Sequence, residues 1–158
     1  MTIISSDIIR KQLAGIPLTE HRFEGMESGI YSADFSRRTY DRLFSGARDI
    51  LKQGDPVILD ATFLKAEDRR QACQLATETG ADFVILECIL DEENTRQRLE
   101  GRLRKGTSIS DGRWEIYGPQ KQKFEPVARE ETEQHYVVDS ARPLFDQISR
   151  VIEGIFGG

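Results

Sequence analysis

Four short apolar segments of strand length alternate along the chain with segments that have helical periodicity. The four are Thr2 to Ser5, Val57 to Asp60, Phe83 to Leu90 and His135 to Asp139. This alternation predicts an α/β protein with a mainly parallel sheet. The 158 residues are enough to bury a substantial core, and we predict one domain over 1–158.

Helical segments are predicted between these strands from capping residues and from glycines that suit helix ends. They run from about 7 to 14, from a cap at Ser32 to a stop at Gly54, from about 65 to 79, from a cap at Asp91 to about 105, and onward from Pro143. Residues 18–31 are predicted to form a polar loop, and residues 106–112 a flexible stretch. The last helix carries Leu144, Ile148, Ile152 and Ile155 on one face.

The composition excludes several functional classes. A net charge of −5 is not typical of a protein that binds duplex nucleic acid through a broadly basic surface, although it does not exclude a local cationic patch. No apolar run approaches the ~20 residues that span a bilayer, and the first residues do not resemble a signal peptide. The two cysteines, Cys73 and Cys88, show no metal-ligand clustering. We therefore predict a cytoplasmic protein with reduced thiols and no membrane partner.

Two acidic residues follow strands at positions where parallel sheets bind ligands. Asp7 comes just after the first strand, and Asp60 ends the second and is followed by Ala61 and Thr62. Because ligands bind outside the carboxyl ends of parallel strands, these carboxylates are expected to converge. Such an acid suits Mg²⁺ binding or proton acceptance from a hydroxyl. The alternative for Asp60 is that it caps the turn after its strand.

Asp7 and Arg10 are three residues apart and therefore share a helix face. A carboxylate can orient an acceptor hydroxyl while a guanidinium binds an anionic group on the same substrate. The alternative is a helix-start acid that caps its own backbone, together with a surface arginine.

A basic cluster precedes the flexible stretch, and its members are Arg96, Arg98, Arg102, Arg104 and Lys105. Cations on a mobile segment can close over phosphates and stabilise a transferring phosphoryl group. We therefore predict a lid at about 96–118. The alternative is a solvated helix face, because Glu92, Glu93 and Glu100 offer ion-pair partners.

Several segments together resemble predicted P-loop kinases of an AAA-type ATP-binding family. The similarity is carried by residues 6–11 (SDIIRK), 29–32 (GIYS), 38–40 (RTY), 57–63 (VILDATF), 124–126 (FEP) and 137–139 (VVD). They are most similar to the ATP-binding half of proteins described as bifunctional aminoglycoside phosphotransferase/ATP-binding proteins. The wider group contains polynucleotide kinases, zeta toxins and gluconate kinases.

The resemblance implies a three-layer parallel sheet with helices on both faces, and the cofactors ATP and Mg²⁺. It implies that Asp7 is the base or orienting group for an acceptor hydroxyl, that Arg10 holds the acceptor, and that Asp60 is associated with Mg²⁺. The resemblance places further residues on the nucleotide side: Thr62 beside Asp60, Arg102, Arg104 and Lys105 in the lid, and Arg142 near the base.

The sequence departs from this family in one respect, since it contains no G-x-x-x-x-G-K-[ST] phosphate loop. The family's first strand, phosphate loop and first helix are missing, and the strand would lie between those ending at Asp60 and Leu90. Two unpaired strand edges and an uncovered apolar face are then expected, unless the remaining strands close the gap.

Three functions follow as hypotheses. The first is an ATP-dependent kinase domain for a hydroxyl of a small molecule or nucleotide, which is incompetent alone and receives its phosphate loop from an upstream segment or a partner chain. The second is a non-catalytic binding or interaction module. The third is a regulatory domain that binds phosphorylated ligands through its arginines.

Overall fold

The computed structural model describes residues 1–25, 27–106 and 108–156, with no account of the Phe156 side chain. Its strands are β1 (Thr2–Ser5), β2 (Val57–Asp60), β3 (Ile85–Ile89) and β4 (His135–Asp139). Its helices are α1 (Ser6–Ala14), α2 (Ala33–Leu51), α3 (Ala66–Thr79), α4 (Glu92–Lys105), α5 (Trp114–Lys123) and α6 (Leu144–Phe156). Two 3₁₀ turns lie at Gly29–Tyr31 and Arg129–Glu131.

The strands form two parallel pairs and not one continuous sheet. β1 pairs with β2 from Thr2↔Val57 to Ser5↔Asp60. β3 pairs with β4 from Ile85↔His135 to Ile89↔Asp139. Within the described residues β2 and β3 are not hydrogen-bonded to each other. The predicted α/β class with parallel strands is confirmed, and the strands do not close the expected gap.

Capping residues fix the helix ends as the sequence indicates. The Ser32 hydroxyl accepts a 3.3 Å hydrogen bond from the Phe35 amide at the start of α2. The Asp91 carboxylate accepts one of 2.9 Å from the Asn94 amide at the start of α4. α3 ends at Gly80, whose φ of 69° is a left-handed conformation that glycine adopts without a steric penalty.

Helices pack against both strand pairs. α2 packs on β1 so closely that a Cβ at Gly46 would lie 3.4 Å from Ile4 Cδ1. α6 packs on β4, where a Cβ at Gly154 would clash with the Tyr136 hydroxyl oxygen. α3 lies beside α2 and buries Leu75. Each strand pair therefore has helices packed against it, while Ile3 and Ile58 of the first pair stay exposed.

One side chain joins the two halves. Arg69 of α3 donates from Nε to Glu131 Oε2 at 2.6 Å and from Nη2 to Oε1 at 2.8 Å. Glu131 lies in the turn just before β4, whereas α3 packs with α2 over the first strand pair. Nearby, the Glu125 amide donates a 2.8 Å hydrogen bond to the Leu64 carbonyl oxygen. These contacts thus connect the part of the structure that contains β1 and β2 to the segment that leads into β4.

The observed elements differ from the sequence-based expectations in several places. The continuous apolar run of β2 is typical of a strand buried on both faces, but Ile58 is exposed, and β3 is shorter than the predicted 83–90. α5 was not predicted, because Pro119 lies inside it and its sequence has little amphipathic pattern. The apolar face of α6 is not covered in the described structure, where Ile148 and Ile152 remain exposed. No helix among the described residues is long and apolar enough to cross a membrane.

Candidate active site

Asp7 and Asp60 lie at the carboxyl ends of neighbouring strands, as predicted. β1 ends at Ser5, and α1 starts at once, which places Asp7 in its first turn. Asp60 is the last residue of β2 and stands in register with Ser5. Burial and, to a smaller extent, the negative charge of Asp60 raise the pKa of Asp7, so Asp60 lies close enough to act on it. This edge of the first strand pair is the candidate active site.

The pKa of Asp7 is raised above that of an ordinary aspartate. Burial is the main cause, since it disfavours the charged form, and the charges of Asp60 and Asp111 act in the same direction. A hydrogen bond from Ser110 and the charge of Arg10 offset part of the effect. A carboxylate with a pKa closer to neutrality is a better proton acceptor.

Asp60 is exposed, and its side chain makes no hydrogen bond to any described residue. The loop behind it is firmly held. Phe63 has a φ of 42°, which is rare for an aromatic residue. Its amide donates to the Tyr40 hydroxyl at 3.1 Å, and its carbonyl oxygen accepts from Arg69 Nη1 at 2.9 Å. Asp60 and exposed Thr62 are therefore presented to solvent by a fixed loop, and Asp60 does not cap its own turn.

Arg10 is not a surface arginine, because only 8% of it is exposed. Its Nη1 donates to the Ile30 carbonyl oxygen at 2.6 Å and to Ser36 Oγ at 3.3 Å. The guanidinium carbon lies 4.9 Å from the centre of the Tyr31 ring. Burial lowers its pKa, while the charge of Asp7 counteracts this effect. Nε is buried and has no hydrogen-bond partner among the described residues.

A third carboxylate, Asp111, carries no signal in the sequence that predicts a role for it. It is 4% exposed and accepts a 2.8 Å hydrogen bond from the Tyr31 hydroxyl. His21 Nδ1 lies 3.0 Å and Lys11 Nζ 3.4 Å from its Oδ1. Burial alone would raise the pKa of Asp111, but these hydrogen bonds and the lysine charge bring it below its ordinary value. We call Asp111, Tyr31, His21 and Lys11 the Asp111 cluster.

The Asp111 cluster corrects the prediction that 106–112 is simply a flexible stretch. Asp111 fixes the end of this segment against α1, which also places Ser110 beside Asp7. Thr107 lies outside the described residues. The sequence signal was weak, since a single acid in a Ser/Gly-rich segment carries no periodicity, and its partners lie 80 to 100 positions earlier.

The predicted lid cations lie on α4, and one of them lies close to residues of the candidate active site. Arg102, Arg104 and Lys105 are exposed, and none forms an ion pair or side-chain hydrogen bond within the described part of the chain. Arg102 borders a small cleft that is also lined by Ser110 and Asp111. The other members have structural partners: Arg96 Nε lies 2.9 Å from Glu100, and Arg98 Nη2 donates to the Ser140 carbonyl oxygen at 2.6 Å.

Arg142 follows β4 and is well exposed. Its Nε lies 3.0 Å from Asp139 Oδ2, at the carboxyl end of the strand. No described contact joins it to Asp7 or Asp60. Its assignment to the nucleotide base therefore stays a prediction.

A family model described as an AAA domain matches residues 1–127. The chain belongs to this AAA domain family. The match contains Asp7, Arg10, Asp60 and the lid cations, and it supports a P-loop NTPase-like domain. The narrower resemblance to the ATP-binding half of aminoglycoside phosphotransferase proteins is not confirmed.

Comparison with curated proteins gave no match to this AAA domain. Among solved structures, it is similar to a tunicamycin resistance protein from Deinococcus radiodurans, with 14% sequence identity and a TM-score of 0.47. That similarity covers 99% of this chain and 82% of the other.

The convergence of the two carboxylates predicts a measurable coupling. Replacing Asp60 with Asn removes a negative charge near Asp7 and should lower the pKa of the Asp7 carboxyl toward its ordinary value. Carboxyl ¹³C chemical shifts recorded against pH measure this pKa directly. Asp55→Asn, which removes an exposed charge outside the site, should leave it unchanged. An Asp7 pKa that is equal in both variants would contradict the convergence.

Proposed function

We propose that this AAA domain supplies the acceptor side and the metal side of an ATP-dependent phosphotransferase that acts on a hydroxyl of a small molecule or nucleotide. The observation that carries the proposal is the position of Asp7 and exposed Asp60 at the carboxyl ends of β1 and β2, next to buried Arg10. The burial that raises the pKa of Asp7 supports it. Family membership supports it, because P-loop NTPase-like domains bind nucleotides.

In this proposal Asp7 orients the acceptor hydroxyl and accepts its proton. Its half-buried position favours the neutral form after the transfer, so the proton is held at the carboxylate and not returned at once. Arg10 lies one turn of α1 after Asp7 and positions the acceptor, while its Nη1 stays bound to the Ile30 carbonyl oxygen. A rigid arginine of this kind suits an anionic group on the acceptor.

Asp60 is suited to serve as a ligand of Mg²⁺. Mg²⁺ is commonly bound through one or two carboxylates together with water and substrate phosphates, and Asp60 offers a carboxylate that no described side chain engages. The fixed loop from Asp60 to Phe63 keeps this ligand in one position. When bound, Mg²⁺ would neutralise negative charge on the phosphates.

The residues present are less suited to binding the phosphates of ATP than to binding Mg²⁺. Phosphate loops use successive backbone amides and a lysine, and no G-x-x-x-x-G-K-[ST] motif occurs in the 158 residues. Arg102, Arg104, Lys105 and Arg142 supply exposed cations for the nucleotide side, with Thr62 beside Asp60. They do not replace a cradle of amides, so the proposed activity requires a phosphate loop from an upstream segment or a partner chain.

The same observation favours a second candidate function, a non-catalytic binding module. A domain without a phosphate loop lacks the charge stabilisation that dominates phosphoryl transfer. If this is its function, the chain binds no ATP–Mg²⁺ even when a phosphate loop is provided.

We expect phosphoryl transfer to appear when the chain is joined at Met1 to a segment with a strand, a G-x-x-x-x-G-K-[ST] turn and a helix. Transfer of the labelled γ-phosphoryl group of ATP is measured with Mg²⁺ and a panel of sugar, nucleoside and aminoglycoside acceptors. Asp7→Asn should reduce kcat by at least about a hundredfold, because the proton acceptor is lost. Asp60→Asn should weaken the dependence on Mg²⁺.

Asp55→Asn is the matched control, since it removes an exposed aspartate outside the site, and it should leave transfer unchanged. Equilibrium binding of ATP–Mg²⁺ to the extended chain separates the two candidate functions. Binding with transfer supports the phosphotransferase, whereas no binding by a folded, extended chain contradicts it.

A further inference from the structure

The side chain of Tyr31 connects the candidate active site to the Asp111 cluster. The guanidinium carbon of Arg10 lies over its ring, 4.9 Å from the ring centre. Its hydroxyl donates a 2.8 Å hydrogen bond to Asp111 Oδ2. One aromatic side chain thus joins a buried carboxylate to the arginine that is proposed to hold the acceptor.

The Asp111 carboxylate is engaged by the protein through both of its oxygens. Oδ2 accepts the hydrogen bond from Tyr31, while Oδ1 lies 3.0 Å from His21 Nδ1 and 3.4 Å from Lys11 Nζ. Only 4% of Asp111 is exposed, so a substrate does not reach it. An effect of Asp111 on the proposed reaction must therefore pass through its neighbours.

Lys11 anchors the Asp111 cluster to α1. It is 1% exposed, and its Nζ donates to the carbonyl oxygens of Leu18 at 2.9 Å and Glu20 at 2.7 Å. These bonds leave Nζ one direction of approach, in which Asp111 lies. Arg10 is the preceding residue of the same helix. Asp111 is therefore held by the helix that carries Arg10.

The turn Gly29–Tyr31 is also fixed through its backbone. The Ile30 amide donates a 2.7 Å hydrogen bond to Glu24 Oε2, and the Ile30 carbonyl oxygen accepts from Arg10 Nη1 at 2.6 Å. A Cβ at Gly29 would clash with the Glu24 carboxylate, so only glycine fits there. These contacts fix the backbone but leave the Tyr31 side chain its own rotations. The hydrogen bond to Asp111 restricts them.

The position of the Tyr31 ring matters because the nitrogens of Arg10 differ in their surroundings. Nη1 is bound to the Ile30 carbonyl oxygen and to Ser36 Oγ, and Nε is enclosed without a partner. Nη2 forms no hydrogen bond with any described residue and is not enclosed. It is therefore the nitrogen that can meet an anionic group, and its direction depends on how the guanidinium lies over the ring.

We propose that Asp111 is a positioning residue that acts through Tyr31 on Arg10, the arginine that holds an anionic group of the acceptor. By binding the Tyr31 hydroxyl, Asp111 keeps the ring against the guanidinium and thereby fixes the direction of Nη2. The role of Arg10 toward an acceptor rests on the proposed function, whereas the placement of Arg10 by Asp111 does not.

The energetics of burial favour this role over a merely stabilising one. A buried ion pair contributes little net stability compared with apolar residues of similar volume. An apolar side chain at position 111, however, would give the Tyr31 hydroxyl no acceptor. Burial and the hydrogen bond to Asp111 both raise the pKa of Tyr31, so its hydroxyl keeps the proton and stays a donor. The carboxylate thus provides a fixed point for the ring.

A fixed Nη2 has a consequence for the choice of acceptor. It favours molecules whose anionic oxygen lies at one distance from the hydroxyl that faces Asp7, because a positioned guanidinium binds such an oxygen without further ordering. Loss of the tether at Tyr31 should therefore weaken the binding of an anion at Arg10.

Ring-current shifts of the Arg10 side-chain protons measure its placement in the 158-residue chain without catalysis. Protons over an aromatic ring are shifted upfield, and Tyr31→Leu gives their chemical shifts without the ring. Asp111→Ala should move the Arg10 signals most of the way to those values. Asp111→Asn should keep them near the parent values, because its amide can still form a hydrogen bond with the Tyr31 hydroxyl.

Two further variants separate positioning from stability. Leu75→Ala truncates a core residue of α3 outside the Asp111 cluster, so it destabilises the fold but should leave the Arg10 signals unchanged. Tyr31→Phe removes only the hydroxyl and is the milder variant, which serves if Asp111→Ala does not fold. It should move the Arg10 signals in the same direction as Asp111→Ala.

A titration with inorganic phosphate, followed through the Arg10 signals, measures the consequence for an anion. We expect the dissociation constant to rise at least about fivefold in Asp111→Ala, and Asp111→Asn to restore most of the affinity. Leu75→Ala should bind phosphate as the parent chain does.

Arg10 signals that are unchanged in folded Asp111→Ala or Tyr31→Phe would overturn the proposal. An equal change in Leu75→Ala would also overturn it, because the effect would then follow from lost stability alone. If the signals move as expected but phosphate does not bind at Arg10 of the parent chain, the acceptor role in the proposed function fails while the placement of Arg10 by Asp111 stands.

Discussion

Replacing Arg69 with Met is expected to lower the free energy of unfolding by about 3–5 kcal/mol. The guanidinium is buried and forms a two-pronged pair with Glu131, with bonds of 2.6 and 2.8 Å. It also donates to the carbonyl oxygens of Phe63 at 2.9 Å and Pro126 at 3.3 Å. The methionine fills much of the volume but leaves the Glu131 carboxylate and two carbonyl oxygens without these donors.

Urea denaturation followed by circular dichroism measures this loss. The control is Arg48→Met, which removes an ion pair of similar length, 2.7 Å from Glu78, at an exposed position. Exposed pairs contribute ~0–1 kcal/mol, so the control should differ little from the parent chain. Arg69→Met combined with Glu131→Met should recover part of the loss, because no buried carboxylate then lacks a partner. Equal losses in the two single arginine variants would contradict a structural role for the buried pair.

The Arg69 contacts illustrate what the sequence did not reveal about the fold. Strand and helix positions could be predicted because they depend on local patterns, such as the cap at Asp91 and the stop at Gly80. Arg69 and Glu131 are 62 positions apart, and each reads as a surface charge in its own segment. A long-range ion pair of this kind leaves no periodicity or motif, so only the assembled fold identifies it.

The candidate site likewise combines features that local sequence patterns predict with features that only the assembled fold shows. The spacing of Asp7 and Arg10 and the position of Asp60 at a strand end were sufficient to predict a shared edge. The burial of Arg10 was not predicted, because it depends on the turn at Gly29–Tyr31, which follows a loop of no regular pattern. The roles assigned to these residues remain predictions, since they depend on a bound nucleotide and an acceptor.

Asp111→Ala is expected to lower the free energy of unfolding by about 3 kcal/mol. The substitution leaves the Tyr31 hydroxyl and His21 Nδ1 without their acceptor, and it removes the counter-charge of buried Lys11. Tyr31→Phe is the matched control. It removes only the 2.8 Å hydrogen bond and should cost about 1 kcal/mol. If Asp111→Ala costs no more than Tyr31→Phe, then the Asp111 carboxylate does not stabilise the buried charge of Lys11.

The pH dependence of this stability tests the charged form of Asp111 separately. Its pKa is lowered in the folded chain, because its hydrogen bonds and Lys11 outweigh the effect of burial. The unfolded chain therefore takes up a proton at this position first as the pH falls through the ordinary aspartate value of about 4. The stabilisation is fully present above that value and is lost as the pH falls toward the folded pKa. The difference in unfolding free energy between the parent chain and Asp111→Asn should accordingly shrink below about pH 4. A difference that stays constant with pH would mean that Asp111 acts through its shape and hydrogen bonds alone and not through its charge.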